Sequence, residues 1–508
     1  MLVLSSVSWA QKGSNELLSK AVSLYRNKNY QEALPHFNDF IATDPKNEEG
    51  YYNRGLTYAA LLNFNAAISD YTKAITLKPV KAEAYLSRAI AQAELKHYKE
   101  ALIDCDKVVT LKPSAEAYNN RGYILSLQSK YGEAMKDYDK AIELNPAYSR
   151  AYINKAMIVN TKGDHKEAVK ILSDLSKREP LATEAYYNRA EVYIKIGLKQ
   201  KALTDYTQCI LLDSTDTDAL LQRSKILDEI GDDKGAIKDC SNALKWKSSA
   251  ELYYYRARPY YDIPDYPAVI KDCSAAIQLK KDYFEAYVLR ANAYDLLSDY
   301  ELAIKDYRKA IEINPAYIEA YEQSAVAHSL RGDYIGALSD LSRAIMMKPD
   351  DTRLLKKRAA MNFTAGNFKG ALTDITHCIK LEPDSAFNYY YRAHIKDTLK
   401  DNAGACKDAL EALKRGSRPS YYYIKSRSCT IVFQEPYFKG VDYQVLAIEK
   451  ENAGDFAGAV DFYTKAIQVL PDSFNLYYLR GKAKKKQIKY EEAVADYDTA
   501  LQLNSRFV

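Results

Sequence analysis

The chain has 508 residues, with 47 % hydrophobic and 27 % charged side chains, the composition of a folded, water-compatible protein rather than a collagen or a disordered linker. Lys+Arg 72 against Asp+Glu 67 leaves a net charge of +5, too weak over this length to argue for nucleic acid. Tyr is the outlier, 45 against 13 Phe and 2 Trp, and a side chain with an apolar body and polar tip suits surfaces that bind.

In chain order, the first element is a short apolar stretch, Leu2 to Gln11. Ser8 and Ala10 would fill the small-residue positions before a cut after Ala10, so residues 1–13 read as the remnant of a secretory signal. The expectation is export to a periplasm or beyond; without such a signal the chain would be cytoplasmic. No apolar run approaches the ~18 residues of a membrane span.

From residue 14 onward one pattern recurs. Aligned on an Ala, it falls at Ala33, Ala67, Ala101, Ala134, Ala168, Ala202, Ala236, Val269, Ala303, Ala337, Ala371, Ala405, Ala459 and Ala493, in steps of 33 or 34 with a single step of 54. A small residue sits twelve positions before each, from Ala21 and Gly55 to Ala447 and Gly481. Nine units carry Pro twelve positions after it, as at Pro45, Pro79 and Pro471. In Asn53–Pro79, the spacing of Ala67, Tyr71 and Ala74 marks one helix face. Small residues at Gly55, Ala67 and Ala74 let two helices approach closely, with Tyr58 and Tyr71 filling the space beside them. Gly163-Asp164, Gly231-Asp232, Gly332-Asp333 and Gly454-Asp455 read as turns: Gly ends the first helix and Asp caps the second. Asn29…Glu32 and Asp164…Glu167 have capping-box spacing.

This pattern resembles the tetratricopeptide repeat family over residues 14–416 and 440–508. The resemblance implies an all-α, right-handed superhelical solenoid of about fourteen antiparallel helix pairs, twelve before and two after a non-repeat insert at 417–439. It implies a non-enzymatic scaffold that binds a protein or peptide in a concave groove lined by the first helix of each pair, here helix A. The matching groove positions hold Tyr52, Asn53, Asn119, Asn120, Asn154, Tyr187, Asn188, Tyr254, Tyr255, Tyr390 and Tyr391. Asn offers donor and acceptor to a peptide backbone, and Tyr packs at little entropic cost. The carboxylate clamp found in some members is not carried over, because the Lys and Arg here are placed differently. The alternative is an exported binder or assembly factor that recognises a cell-envelope glycan or outer-membrane component.

A second regularity lies outside the family signature. Ten units pair an Arg thirteen residues before the aligned Ala with an Asp three residues after it, from Arg54 and Asp70 to Arg480 and Asp496. This reads as a ladder tying helix A to the second helix, helix B, or to the neighbouring repeat. As exposed pairs these would contribute only ~0.2–1 kcal/mol each.

Three places depart from the pattern. In the eighth unit Pro259 falls inside helix A and should kink or shorten it, altering the curvature of the stack. The insert carries Tyr421-Tyr422-Tyr423, Ile431, Val432 and Phe433 between Pro419 and Pro436, a composition that predicts extended structure. It is a binding loop or a spacer. The last repeat carries Lys482, Lys484, Lys485, Lys486 and Lys489; Lys485 and Lys486 should face the groove, as an acidic-partner dock or a solvated face. The chain also ends without an extra helix, which allows self-association through that end of the array.

No constellation for chemistry emerges. There is no nucleotide-binding Gly loop, Gly-x-Ser-x-Gly or His-Glu-x-x-His. The six His fall at unrelated repeat positions, so neither metal nor cofactor is expected. Seven Cys is an odd number in a long chain, unlike a disulfide scaffold. Cys105, Cys240 and Cys273 take the helix-B Tyr slot, and Cys209 and Cys378 a later Ala slot, as small buried hydrophobes. Equivalent slots stand ~8–10 Å apart, beyond disulfide reach, so Cys240 and Cys273 should be free thiols.

Overall fold

The computed structural model of the chain describes residues 16–427, 429 and 435–504. The signal-like segment, its cut after Ala10, and Ile431, Val432 and Phe433 of the insert lie outside the described residues. All regular structure among the described residues is helical: fourteen A–B pairs and one additional helix. Repeat 1 pairs residues 16–26 with Tyr30–Thr43, and repeat 2 pairs Glu48–Ala60 with Phe64–Leu77. The last pairs Phe474–Lys486 with Tyr490–Leu503. The chain forms two compact units that divide between Ser248 and Ser249, so seven repeats lie in each.

Close approach of the two helices explains the small residues. The thirteen aligned Ala and Val269 are at most 2 % exposed. A Cβ added to Gly55 would stand 2.7 Å from Tyr71 Cε1, closer than packing tolerates. Tyr71 itself is buried between Ala67 and Ala91, with Tyr52 and Tyr58 against the same cluster. Ala202, in helix B of repeat 6 (Lys199–Leu212), is fully buried beside Tyr206 and Ala190. Ala202→Leu is therefore expected to overpack the pair and cost about 1–3 kcal/mol, read as a lower urea midpoint. An unchanged midpoint would contradict this packing.

The A–B turns behave as expected at Gly163, whose φ of +90° is the left-handed conformation open to Gly. Asp164 then accepts from the Glu167 N–H at 3.1 Å and caps the helix. Asn29 makes no such side-chain cap, which corrects the expectation for that turn.

At Pro259 the helix is not shortened, and at the insert the expected extended structure is corrected. Helix A of repeat 8 spans Ala250–Asp262 and keeps the thirteen residues of its counterparts despite Pro259. The proline lies in the last turn, three residues before Asp262, so its missing N–H costs one bond, to the residue-255 carbonyl, and few residues follow it in the helix. The insert is not extended at its start: Arg418–Ser426 is a nine-residue helix, and helix A of repeat 13 begins at Glu435 and runs to Asn452. Ser420, Tyr421, Tyr423 and Ile424 are buried while Tyr422 is 51 % exposed, so one helical face packs on repeat 12. Tertiary burial overrides the strand propensity of these side chains.

A disulfide joins Cys406, in helix B of repeat 12 (Asn402–Lys414), to Cys429 in the insert. The odd cysteine count argues against a disulfide scaffold, and this single bridge is one that the sequence reading did not anticipate. The distance argument applies only between equivalent repeat slots, and Cys429 lies outside the repeat register. Cys105, Cys209, Cys240, Cys273 and Cys378 are buried and not disulfide-bonded. Burial pushes the thiols of Cys105 and Cys209 up to about 12.

Candidate functional site

The ladder forms first, because it sets how helix A is presented. All ten Arg–Asp pairs make two-pronged contacts inside one repeat, Nε to one carboxylate oxygen and Nη2 to the other, as between Arg54 and Asp70 at 2.7 Å each. The remaining Nη1 of several arginines reaches back to helix B of the preceding repeat. Arg88 donates to Thr72 Oγ1, Arg223 to Thr207 Oγ1, and Arg358 to Ser342 Oγ. The ladder thus ties helix A both to its own helix B and to the repeat before. The Asp residues are buried, as at Asp239 with 2 % exposure, so the expectation of weak exposed pairs is corrected. For eight of the ten ladder arginines a Tyr three residues earlier in helix A lies under the guanidinium: Arg121 stands 5.4 Å from the Tyr118 ring and Arg189 5.5 Å from Tyr186.

The next two helix-A positions form a row along successive repeats. Tyr52 Oη lies 3.5 Å from Ser87 Oγ, and Asn154 Nδ2 donates to Asn119 Oδ1 at 2.9 Å, each across 35 residues. Asn119 is 4 % exposed and holds the repeats together, so it does not present itself to a ligand. Asn53 Nδ2 donates to the Glu49 carbonyl and Asn188 Nδ2 to the Glu184 carbonyl, both at 2.8 Å. Each is thereby oriented with its Oδ1 left as an acceptor. Asn120 is half-buried and makes no hydrogen bond among the described residues. Tyr52 and Tyr187 pack on the helix-B rings Tyr71 and Tyr206, at 6.0 and 5.5 Å. Burial raises the Tyr187 hydroxyl to about 12, so it stays a neutral donor at ordinary pH.

In the unit that begins at Ser249 the same positions hold Tyr254 and Tyr255 in repeat 8, aliphatic Val288 and Leu289 in repeat 9, and Tyr390 and Tyr391 in repeat 12. Tyr254 packs on Tyr255 and Tyr283 at 5.3 and 5.0 Å. In repeats 10 and 11 the slots hold Glu322, Lys356 and Lys357; Glu322 is buried and paired with Arg353 and Lys357, and Lys356 pairs with Glu382 at 2.6 Å. Tyr391 stacks on Phe387 at 5.8 Å, and Tyr390 meets His394 at 4.6 Å. Lys485 and Lys486 are exposed, while Lys484 is drawn to Asp496 at 3.0 Å.

Sequence reasoning missed the meeting of Tyr390 with the insert helix. Tyr390, Arg418, Pro419, Tyr422, Tyr423 and Ser426 line an open cleft of about 510 Å³. A second cleft, about 460 Å³, is lined by Glu411, Lys414, Arg415 and residues 469–474. Its charges are spent locally, with Arg415 on Glu411 and on the Pro383 carbonyl. No helix among the described residues is long and apolar enough to cross a membrane.

The family models agree with the helix-pair repeat. One family model described as tetratricopeptide repeat matches residues 48–79, 115–148 and 284–317, and a second of the same description matches 183–216 and 474–507. No curated protein matches the chain. Among solved structures, the APC/C hetero-tetramer Cut9–Hcn1 is 12 % identical with a TM-score of 0.40, over 100 % of this chain and 97 % of that one. A tetratricopeptide repeat protein from Parabacteroides merdae ATCC 43184 is 18 % identical with a TM-score of 0.36, over 56 % and 99 %. MamA from Desulfovibrio magneticus RS-1 is 21 % identical with a TM-score of 0.31, over 33 % and 96 %.

Proposed function

We infer that this chain, a tetratricopeptide-repeat protein, is an interaction scaffold whose helix-A row in repeats 2–6 binds an extended segment of a protein partner. The observation that carries the reading is the repeated Asn. Asn53 and Asn188 are pinned by their own helix with an acceptor to spare, and Asn120 keeps both donor and acceptor. Acceptors and donors fixed at repeat spacing suit a peptide backbone, whose N–H and C=O groups need partners once water is displaced. Binding through such a row is multivalent contact on a preformed surface, with little ordering cost on the scaffold side.

The test is capture of a partner from source-organism lysate by the wild-type chain and by a variant with Asn53, Asn120 and Asn188 changed to Ala. All three are half-buried and bond at most to their own helix, so the variant should fold. The expected result is a protein captured by the wild type and lost by the variant. Equal capture by both would place the site elsewhere.

A second reading, a glycan binder, rests on the second unit alone, where Tyr254, Tyr255 and Tyr283 offer aromatic surface without Asn. Export accords with the Cys406–Cys429 bridge, because structural disulfides persist in oxidising compartments.

A further inference from the structure

The geometry points to a second binding site, built by the insert, that takes an acidic, proline-containing peptide segment in extended conformation. Its walls are Tyr390 from helix A of repeat 12 (Ala386–Thr398) and Arg418, Pro419, Tyr422, Tyr423 and Ser426 from the insert helix. The cleft of about 510 Å³ is open along one side, room for a few residues of chain rather than for a helix.

Three observations fix the ligand's chemistry. The lining is aromatic rings and a proline, the surface on which the rings of a polyproline-II segment pack. Arg418 is half-buried in this lining and forms no ion pair among the described residues, although every ladder arginine is spent on an aspartate. Among the described residues no acid lines the cleft: the nearby Asp397 is paired with Arg427 at 2.7 Å and hydrogen-bonded to Tyr423, and Asp442 accepts from Tyr421 Oη at 2.7 Å. A guanidinium without a counter-ion among aromatic faces complements a carboxylate.

The site is also held in shape in advance of any ligand. The Cys406–Cys429 bridge and the Arg427–Asp397 pair tie the end of the insert helix to repeat 12. His394 is wedged between Tyr390 and Tyr423, with centroids at 4.6 and 5.1 Å. Preformed walls reduce the ordering cost of binding.

The site shares no residue with the helix-A row of repeats 2–6, so the two fail separately. The probe is a fluorescent acetyl-Pro-Pro-Glu-Glu-Pro-Pro amide, titrated by anisotropy with the full disulfide-bonded chain. Arg418→Glu and the exposed Tyr422→Ala should melt as the wild type does. Arg418→Glu, and exchange of both peptide Glu for Gln, should each weaken binding about tenfold or more. Tyr422→Ala should weaken it about fivefold or more. The Asn53/Asn120/Asn188 variant should bind as the wild type does. No binding of the probe at about 1 mM, wild-type affinity in Arg418→Glu, or equal affinity for the Gln peptide would overturn the proposal. So would binding of a glucuronic acid oligosaccharide in place of the peptide, which would assign the cleft to an acidic glycan.

Discussion

Replacing Arg189 with Ala is expected to destabilise the first compact unit by about 3–5 kcal/mol. Arg189 donates from Nε and Nη2 to the two oxygens of Asp205, at 2.8 and 2.7 Å, and Asp205 is 4 % exposed. The carboxylate raises the guanidinium above its usual range, the sign of a favourable charged pair. Nη1 reaches Ser173 and Ser176 Oγ of the preceding repeat, both at 3.0 Å. The variant therefore leaves a buried carboxylate without its cation and cuts a link between repeats. Arg189→Lys should recover only part of the loss, because an ammonium cannot serve both oxygens and the serines in that plane. Arg189→Met with Asp205→Leu should come close to the wild type, since replacing both partners leaves nothing uncompensated. Urea unfolding of the three variants checks the ordering. A loss below about 1 kcal/mol in Arg189→Ala would mean the ladder is a solvated surface feature after all.

Removing the Cys406–Cys429 bridge is expected to cost roughly 3 kcal/mol, with the loss centred on the insert. The bridge closes a loop of 23 residues that contains the whole Arg418–Ser426 helix. In Cys406→Ser with Cys429→Ser, amide exchange should accelerate across residues 418–426 and change little in repeats 2–6. Alkylation after denaturation should count five thiols without reductant and seven with it. Seven without reductant would show the bridge absent, and unchanged exchange at 418–426 would show it mechanically idle.

Much of the fold is legible in the amino-acid sequence. A 34-residue period with small residues at fixed offsets forces a close helix pair, and Gly55 against Tyr71 shows the steric reason. The ladder is legible as a pairing because duplication repeats the two partners together. Its strength is not, because the burial of Asp205 depends on the neighbouring helices that cover it. The reach of Arg189 to Ser173 and Ser176 joins two repeats and has no signature inside either one. Asn119 reads in sequence like Asn120, but one faces Asn154 and the other does not. The insert is least legible: it occurs once, so nothing in the chain calibrates it, and packing on repeat 12 decides both its helix and its disulfide.

The most direct test of the scaffold reading is site-specific photocrosslinking in the source organism's lysate. A photoreactive residue replaces Asn120 on the helix-A row in one variant and the exposed Lys136 on helix B of repeat 4 (Tyr131–Leu144) in another. The account predicts that one protein partner is crosslinked at position 120 and not at 136. Crosslinking at 136 alone, or at both positions equally, would contradict it.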